Sequence, residues 1–219
     1  MDSNRDVGVH ALACPSRTGL DFALSLNYKQ WVKLKCPILS LGLFLIVGAM
    51  AYWWWHEGRL ERSQDEVIRA ASQRYGIETA LIKAIVWQES RFNPLAQGRA
   101  QEIGLMQLRE DAAREWADAE HVENFQHEHC FDSRTNTLAG AWYLKKLLKR
   151  YSITDNPLPY ALADYNAGRG NVLKWISGAA ATNSSAFLNQ IGFPGTREYV
   201  TSVMERYARY GRGWTTNWK

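Results

Sequence analysis

The chain has 219 residues, of which 46% are hydrophobic and 22% are charged, enough for one globular domain with its own core. The formal net charge is +4, and no lysine and arginine block is interleaved with aromatic residues, which argues against nucleic acid as a partner. The three cysteines, Cys14, Cys36 and Cys130, form no CxxC pair, so the pattern does not predict a fold held by disulfide bonds.

The N-terminal region contains one long apolar run. Residues 1–35 show no sustained period and are predicted to form a flexible cytoplasmic tail. From Pro37 to Trp55 no residue is charged, and a helix of that length just spans the ~30 Å hydrocarbon layer. We therefore predict a transmembrane anchor over residues 36–56. Lysines precede the run and mixed charges follow it, so residues 57–219 should lie outside the cytoplasm, on a single-pass protein of the inner membrane.

A cleaved signal peptide is the alternative interpretation of this run. Ala49-Met50-Ala51 has the small-x-small form of a cleavage site and follows a shorter apolar core. Both interpretations export the domain. A third, a buried core helix, is disfavoured because the apolar run is unbroken.

Residues 57–219 show successive helical patterns and no convincing alternation of period two. Ser63 and Glu66 fit a capping box at the start of the first helix, and Gly76 is suited to end it. The next helix is predicted to stop at Pro94. Three later helices are predicted in "LAGAWYLKKLLKRY", in "LPYALADYNAG", which closes at Gly168, and in "TREYVTSVMERYARY", with Thr196 as its N-cap.

A glutamate lies in the middle of the apolar stripe of the second helix. One arc of "LIKAIVWQESRFNP" holds Leu81, Ile82, Ile85, Val86, Glu89 and Phe92. An unpaired buried carboxylate is costly, so such a group pairs with a cation, reaches solvent, or keeps its proton at a raised pKa. The stripe alone leaves these three alternatives open and makes Glu89 a candidate general acid.

Four short motifs follow one another along the chain: "ES" at 89–90, "GLMQL" at 104–108, "YNAG" at 165–168 and "TREYV" at 196–200. With "FDSRTNTLAGAWYLKKLL" between the second and the third, they resemble the family 1 lytic transglycosylases. The catalytic domain of that group, the soluble lytic transglycosylase (SLT) domain, is related to goose-type lysozyme. The resemblance covers about residues 63–210 and implies a mainly α, lysozyme-like fold.

The resemblance also implies a reaction. The substrate would be the glycan strands of peptidoglycan, cut at the β-1,4 bond between MurNAc and GlcNAc. Glu89 would be the catalytic acid and base, while the 6-hydroxyl of MurNAc attacks the anomeric carbon and leaves 1,6-anhydroMurNAc ends. The acetamido group of the substrate would replace the second carboxylate of a hydrolase. This chemistry requires no metal and no cofactor.

The remaining motif residues are expected to bind the sugar. Gly104 would let the backbone approach it, Met106 would supply an apolar wall, and Gln107 offers a donor and an acceptor. The other candidates for substrate binding are Ser90, Tyr165, Asn166 and Tyr199, and the resemblance implies that Tyr165 and Asn166 orient the glutamate as well as the sugar. Ser90 is suited to bond either the sugar or the end of its own helix, and for each residue a role as a core aromatic or helix-cap residue stays an alternative.

Two features invite other assignments. Asp164 is the obvious candidate for a second carboxylate, but on a helix it points about 100° away from Tyr165, so we predict a structural role. The stretch "HVENFQHEHCFD" contains four residues that can ligate zinc, but their spacing matches no usual zinc pattern, which favours a loop.

Two other classes of function stay open. A lysozyme- or chitinase-type hydrolase predicts a second acidic residue that faces Glu89 across the cleft. An inactive glycan-binding scaffold of an envelope or secretion apparatus would not need the glutamate. An active enzyme also suits such an apparatus, because a membrane-anchored copy would open the wall locally.

Overall fold

The computed structural model describes residues 41–56 and 58–214, and the chain divides into two units, Met1–Trp55 and His56–Lys219. The predicted tail and residues 36–40 of the predicted anchor lie outside the described residues. Residues 41–56 are helical and are called α1 here. Most large apolar side chains of α1 are exposed, and those of Phe44 and Trp54 reach 75% and 80%. Within the described ranges, no helix combines the length and the apolar character that crossing a membrane requires.

The second unit is helical, and the prediction of a mainly α fold is confirmed. Its α-helices are α2 (Asp65–Tyr75), α3 (Thr79–Ser90), α4 (Glu110–Ala119), α5 (Ser133–Arg150), α6 (Pro157–Ala167), α7 (Arg169–Trp175), α8 (Ser184–Gln190) and α9 (Pro194–Trp214). Short 3₁₀ helices cover His127–Phe131 and Gly178–Ala181, and residues 58–63 are also helical. In the described part of the chain there is no strand, only isolated antiparallel bridges from Ile103 to Gln97 and to Leu108.

Helix α3 forms the centre of the core. It packs along α9 and against α2, while α5 contacts α2, α4 and α6. Ile82, Ile85 and Val86 are fully buried, as the apolar stripe predicts. A buried aliphatic side chain of this size contributes about 1.5–3 kcal/mol, so this face fixes the position of α3, and with it the position of Glu89.

Helix α3 ends at Ser90, earlier than the predicted stop at Pro94. The next two residues, Arg91 and Phe92, have left-handed backbone angles, with φ of 52° and 64°. Side chains other than glycine rarely adopt this conformation, but here it turns the chain so that Phe92 enters the core. Glu89 consequently lies in the last turn of α3.

The helix caps agree with the sequence only in part. Gly76 ends α2 in the left-handed conformation, with φ of 69°, as predicted. The capping box is wrong, because the Ser63 hydroxyl donates to the Leu60 carbonyl at 2.8 Å and no side chain caps α2. Residues 58–63 are already helical, so the Ser63 hydroxyl bonds back to the preceding turn.

In the second half of the domain, too, one predicted helix boundary is found and another is not. Gly168 follows the last residue of α6, as predicted, with φ of 80°. Thr196 does not cap α9, which begins at Pro194, a residue whose fixed φ suits the first turn of a helix. The Thr196 hydroxyl is buried and donates to Asn166 Oδ1 at 2.8 Å, which ties the start of α9 to the end of α6.

Candidate active site

Two adjoining cavities meet at the end of α6. The main cavity, of about 570 Å³, lies between the end of α3, the loop from α3 to α4 and the end of α6. Its lining includes Glu89, Glu102, Gln107, Tyr143, Tyr165 and Asn166. The side cavity, of about 620 Å³, is lined by residues of α3 and α9 and shares Asn166 with the main cavity. Volumes of this size are typical of ligand sites.

Glu89 faces the main cavity, and a tyrosine from a distant part of the chain holds its side chain. The Tyr199 hydroxyl, on α9, donates to Glu89 Oε1 at 2.6 Å. The packing of α9 along α3 brings together these two residues, which are 110 positions apart in the sequence. The partner of the carboxyl group is therefore a neutral hydroxyl, which can donate to it in either protonation state.

The pKa of Glu89 is raised from 4.5 to about 7. Burial is the main cause, the hydrogen bond from Tyr199 lowers the pKa, and the charge of Glu102 raises it further. The position in the last turn of α3, near the negative end of the helix dipole, acts in the raising direction too. Of the three alternatives left by the stripe, the structure favours a retained proton, and Glu89 can donate it near neutral pH.

Two tyrosines beside Glu89 stay neutral, the buried Tyr199 and the half-buried Tyr165. Burial raises the pKa of both Tyr165 and Tyr199 well above 10, and the nearby charge of Glu89 adds to this. Tyr165 does not bond the glutamate. Its hydroxyl donates to the Met106 carbonyl at 2.8 Å, and its ring lies 5.7 Å from that of Tyr143. Tyr199 therefore orients Glu89, whereas Tyr165 holds the loop that carries "GLMQL".

Asn136, on α5, fixes this loop and was missed by the sequence analysis. It is fully buried; its Oδ1 accepts the Met106 N–H at 2.7 Å, and its Nδ2 donates to the carbonyls of Ile103 and Cys130. Gly104 has φ of 79°, and a Cβ there would lie 2.1 Å from Asn136 Nδ2. The glycine thus makes room for Asn136, and the expectation that it also lets the backbone approach a sugar stays a prediction.

The two side chains that follow in the loop point in different directions. Met106 is fully buried against α5, where a Cβ on Gly140 would lie 2.3 Å from its Sδ. Its side chain packs in the core, and its predicted contact with a sugar stays a prediction. Gln107 lines the main cavity, but its Nε2 already donates to the carbonyls of Ala96 and Gly104. Substrate binding by Gln107 stays a prediction.

The last two candidates for binding lie on either side of Glu89. Ser90 is buried, and its hydroxyl donates to the Val86 carbonyl at 3.1 Å, which is the helix-end alternative. Asn166 is exposed at the junction of the two cavities and accepts the hydrogen bond from Thr196. Its amide group is held where it can meet a ligand, and its predicted contact with a sugar stays a prediction.

Asp164 is held in a different environment from Glu89. Arg150 Nη1 lies 2.5 Å from its Oδ2, and the Tyr151 hydroxyl donates to the same oxygen at 2.7 Å. The carboxylate is buried and paired with a cation, so it does not serve as a nucleophile or base. The predicted structural role of Asp164 is confirmed by this ion pair.

The carboxylates of Asp111, Asp164 and Glu102 also line the main cavity, and the sequence analysis did not single out Glu102. The only sign of Glu102 in the sequence was a charged residue two positions before Gly104.

The stretch "HVENFQHEHCFD", considered above as a zinc site, forms a loop and a 3₁₀ helix, in which His127 Nε2 bonds the Leu108 carbonyl at 2.9 Å. Across the residues that the structure describes, no three His, Cys, Asp or Glu side chains are grouped to hold a metal ion.

Comparisons with known proteins place the chain among lytic transglycosylase relatives. A family model described as the transglycosylase SLT domain matches residues 66–188. The soluble lytic murein transglycosylase of Escherichia coli K12 is 28% identical over 165 residues, 73% of this chain and 25% of that protein. The membrane-bound lytic murein transglycosylase F of Desulfosudis oleivorans is 37% identical over 109 residues, 48% of this chain and 22% of that protein.

A solved structure of similar fold is that of an inactive mutant of the lytic transglycosylase Slt from Pseudomonas aeruginosa. Its TM-score is 0.62 at 25% identity, and the match covers 68% of this chain and 24% of that one. The chain therefore spans about a quarter of the length of each of these three relatives.

Proposed function

The chain belongs to the transglycosylase SLT family, and on this premise we propose that it is a peptidoglycan lytic transglycosylase. It cleaves the β-1,4 bond between MurNAc and GlcNAc without consuming water and leaves 1,6-anhydroMurNAc ends. The observation that carries the proposal is the environment of Glu89, which lies in a cavity of ligand size with a pKa raised to about 7.

Glu89 supplies the proton for the first step. Its carboxyl group donates the proton to the glycosidic oxygen, the bond from that oxygen to the anomeric carbon breaks, and GlcNAc leaves as the alcohol. The acetamido group of MurNAc stabilises the positive charge that develops on the ring. Tyr199 supports this step because its hydroxyl fixes the position of Glu89 in the acid form and in the ionised form.

Glu89 then accepts a proton in the second step. The 6-hydroxyl of the same MurNAc attacks the anomeric carbon, forms the anhydro bond and returns its proton to Glu89, so the enzyme ends in its starting state. One residue suffices for both transfers because the nucleophile belongs to the substrate. In this proposal Asp164 takes no part in either step, and its ion pair with Arg150 supports that assignment.

A second candidate function is lysozyme-type hydrolysis, which Glu102 favours. A hydrolase needs a second carboxylate roughly 5–9.5 Å from the acid, to activate water or to form a covalent intermediate. Glu102 lines the same cavity as Glu89 and is the candidate for this second carboxylate. The two functions differ in the product, because hydrolysis leaves a reducing MurNAc end that contains one more water.

The experiment is digestion of purified cell wall, followed by mass spectrometry of the released fragments. The proposal predicts muramoyl ends that are one water lighter than those produced by a lysozyme. Mostly reducing ends would instead identify a hydrolase. If the folded protein binds glycan and releases no fragments, it is the inactive scaffold, and the proposed activity is wrong.

We further propose that the enzyme is anchored in the inner membrane, with a tail at residues 1–35, an anchor at 36–56 and the catalytic domain at 57–219 outside the cytoplasm. The uncharged run from Pro37 to Trp55 and the exposed apolar side chains of α1 support this layout. Some relatives are named membrane-bound. Such an anchor would suit local cutting of the wall within an envelope or secretion apparatus.

Protease treatment of intact spheroplasts tests this topology. A C-terminal epitope should be digested without lysis and should pellet with membranes before treatment. Protection of the epitope would show that the domain lies in the cytoplasm, and recovery of the mature protein in the soluble fraction would indicate a cleaved signal peptide.

A further inference from the structure

Glu102 is anchored in the loop between α3 and α4. Its backbone carbonyl accepts the Gly98 N–H at 2.7 Å, and its side-chain Oε2 accepts the Ala100 N–H at 3.0 Å. Backbone N–H groups of one turn therefore hold both the backbone carbonyl and the side-chain carboxylate of Glu102. This leaves the carboxylate at a defined place in the wall of the main cavity.

The Glu102 carboxylate occupies space that is open because residue 98 is a glycine and has no side chain. A Cβ on Gly98 would lie 2.1 Å from Glu102 Oε2 and 2.9 Å from its Cδ. Any other residue at position 98 would push the carboxylate out of this position. Glycine and glutamate are thus matched in the structure, four residues apart in one turn.

The surroundings of Glu89 contain phenols and charges from every neighbouring element. Tyr199 of α9, Tyr165 of α6 and Tyr143 of α5 contribute phenols.

The main cavity is also lined by charged groups, which are Arg99, Glu102, Arg109, Asp111 and Asp164. Asp164 is paired with Arg150, and Asp111 Oδ1 lies 3.7 Å from Arg109 Nε. The charge that raises the pKa of Glu89, in addition to burial, is that of Glu102.

We propose that Glu102 is a positioning residue that acts through Glu89. The negative charge of Glu102 disfavours a second negative charge on Glu89 in the same cavity. Glu89 therefore keeps its proton until a glycosidic oxygen receives it. Glu102 itself forms and breaks no bond. The inference rests on the proposed function for its role in catalysis, but its effect on the proton of Glu89 can be measured without substrate.

The direct test is an NMR titration of ¹³C-labelled glutamate carboxyl groups in the full chain, purified in detergent. Glu89→Gln identifies the resonance of Glu89. The expected midpoint is about 7 in the unmodified protein and moves toward 4.5 in Glu102→Gln. Glu102→Asp, which keeps the charge, should restore most of the shift. The matched control Asp111→Asn should not move the midpoint, since it removes a carboxylate that lies beside Arg109. An unchanged midpoint in Glu102→Gln overturns the inference.

A pH profile of wall lysis supplies the catalytic readout. A general acid loses activity as pH rises through its pKa, so in Glu102→Gln the alkaline limb should move to lower pH, while the rate on the acid side of the limb is retained. If Glu102 instead activates water, Glu102→Gln removes the hydrolytic product at every pH, which contradicts the inference that Glu102 takes no part in bond making. A shifted midpoint in a protein that never cuts glycan would contradict the proposed function alone.

Discussion

The domain buries two carboxyl groups in opposite ways. Asp164, between α5 and α6, has its charge matched by Arg150 and bonded by Tyr151. Glu89, between α3 and α9, is bonded by a neutral tyrosine hydroxyl and shares its cavity with Glu102. The first arrangement pairs a carboxylate with a cation, whereas the second favours the protonated form of Glu89.

The difference separates a structural group from a reactive one. A carboxylate paired with a cation is neutralised, and its removal leaves an unpaired charge in the core. A carboxyl group held protonated in apolar surroundings costs stability whenever it ionises, but it can deliver a proton near neutral pH. Substitution of each group by its amide therefore has opposite expected effects on stability and on activity.

The largest expected effect is the loss of wall lysis in Glu89→Gln. The amide has the same shape, and its oxygen can still accept the Tyr199 hydrogen bond, but it has no proton to donate. General acid–base catalysis contributes roughly 10²–10⁴-fold, so we expect activity to fall by about a thousandfold. Clearing of purified cell wall measures it. Glu66→Gln, the same change on the exposed face of α2, is the control. A Glu89→Gln protein that keeps more than a few per cent of the activity would remove Glu89 from the mechanism.

The second effect is a loss of stability in Asp164→Asn. Breaking a buried ion pair costs about 3–5 kcal/mol, and the Arg150 side chain is 23% exposed, so we expect about 2–3 kcal/mol. Denaturant unfolding followed by circular dichroism measures it, with exposed Asp118→Asn as the control. Activity per folded molecule should be retained. A stable Asp164→Asn protein that no longer cuts the wall would reverse the roles assigned to the two carboxyl groups.

The smallest effect is a gain of stability in Glu89→Gln above neutral pH. The pKa of Glu89 is about 7 in the folded chain against an ordinary 4.5, so the folded state holds an extra proton between these values and its stability falls as pH rises through them. The shift corresponds to at most about 3 kcal/mol, and partial exposure reduces the expected gain to about 1–2 kcal/mol.

Thermal unfolding at pH 4 and pH 8 measures this gain. Glu89→Gln should match the unmodified protein at the acid pH and exceed it at the alkaline pH. An equal difference at both values would mean that the gain comes from packing and not from the charge of Glu89.

The sequence predicts what local periodicity determines. The stripe on α3 and the glycine that ends α2 follow from spacing and from backbone preference, and both are found in the structure. The end of α3 was misplaced because Arg91 and Phe92 adopt left-handed backbone angles, which residues of these types rarely do and which the sequence therefore does not signal.

The residues of the site could be predicted only in part from local patterns, because contacts between distant parts of the chain bring them together. Tyr199 became a candidate only through the resemblance to a family, since 110 positions separate it from Glu89. Asn136 and Glu102 were missed because each acts through the backbone of a loop or across a cavity, and neither relation has a period in the sequence. Met106 packs against Gly140, a contact that the sequence did not predict, and its assignment to the sugar stays a prediction.

The most direct test of the central claim, that Glu89 cuts glycan with an internal nucleophile, is digestion of purified cell wall in heavy-oxygen water. An attack by the 6-hydroxyl uses no water, so the new muramoyl ends should carry no label. Water activated by Glu102 would place the label on each new end. Unlabelled anhydro ends are the result that this account predicts, and label on most of the new ends would contradict it.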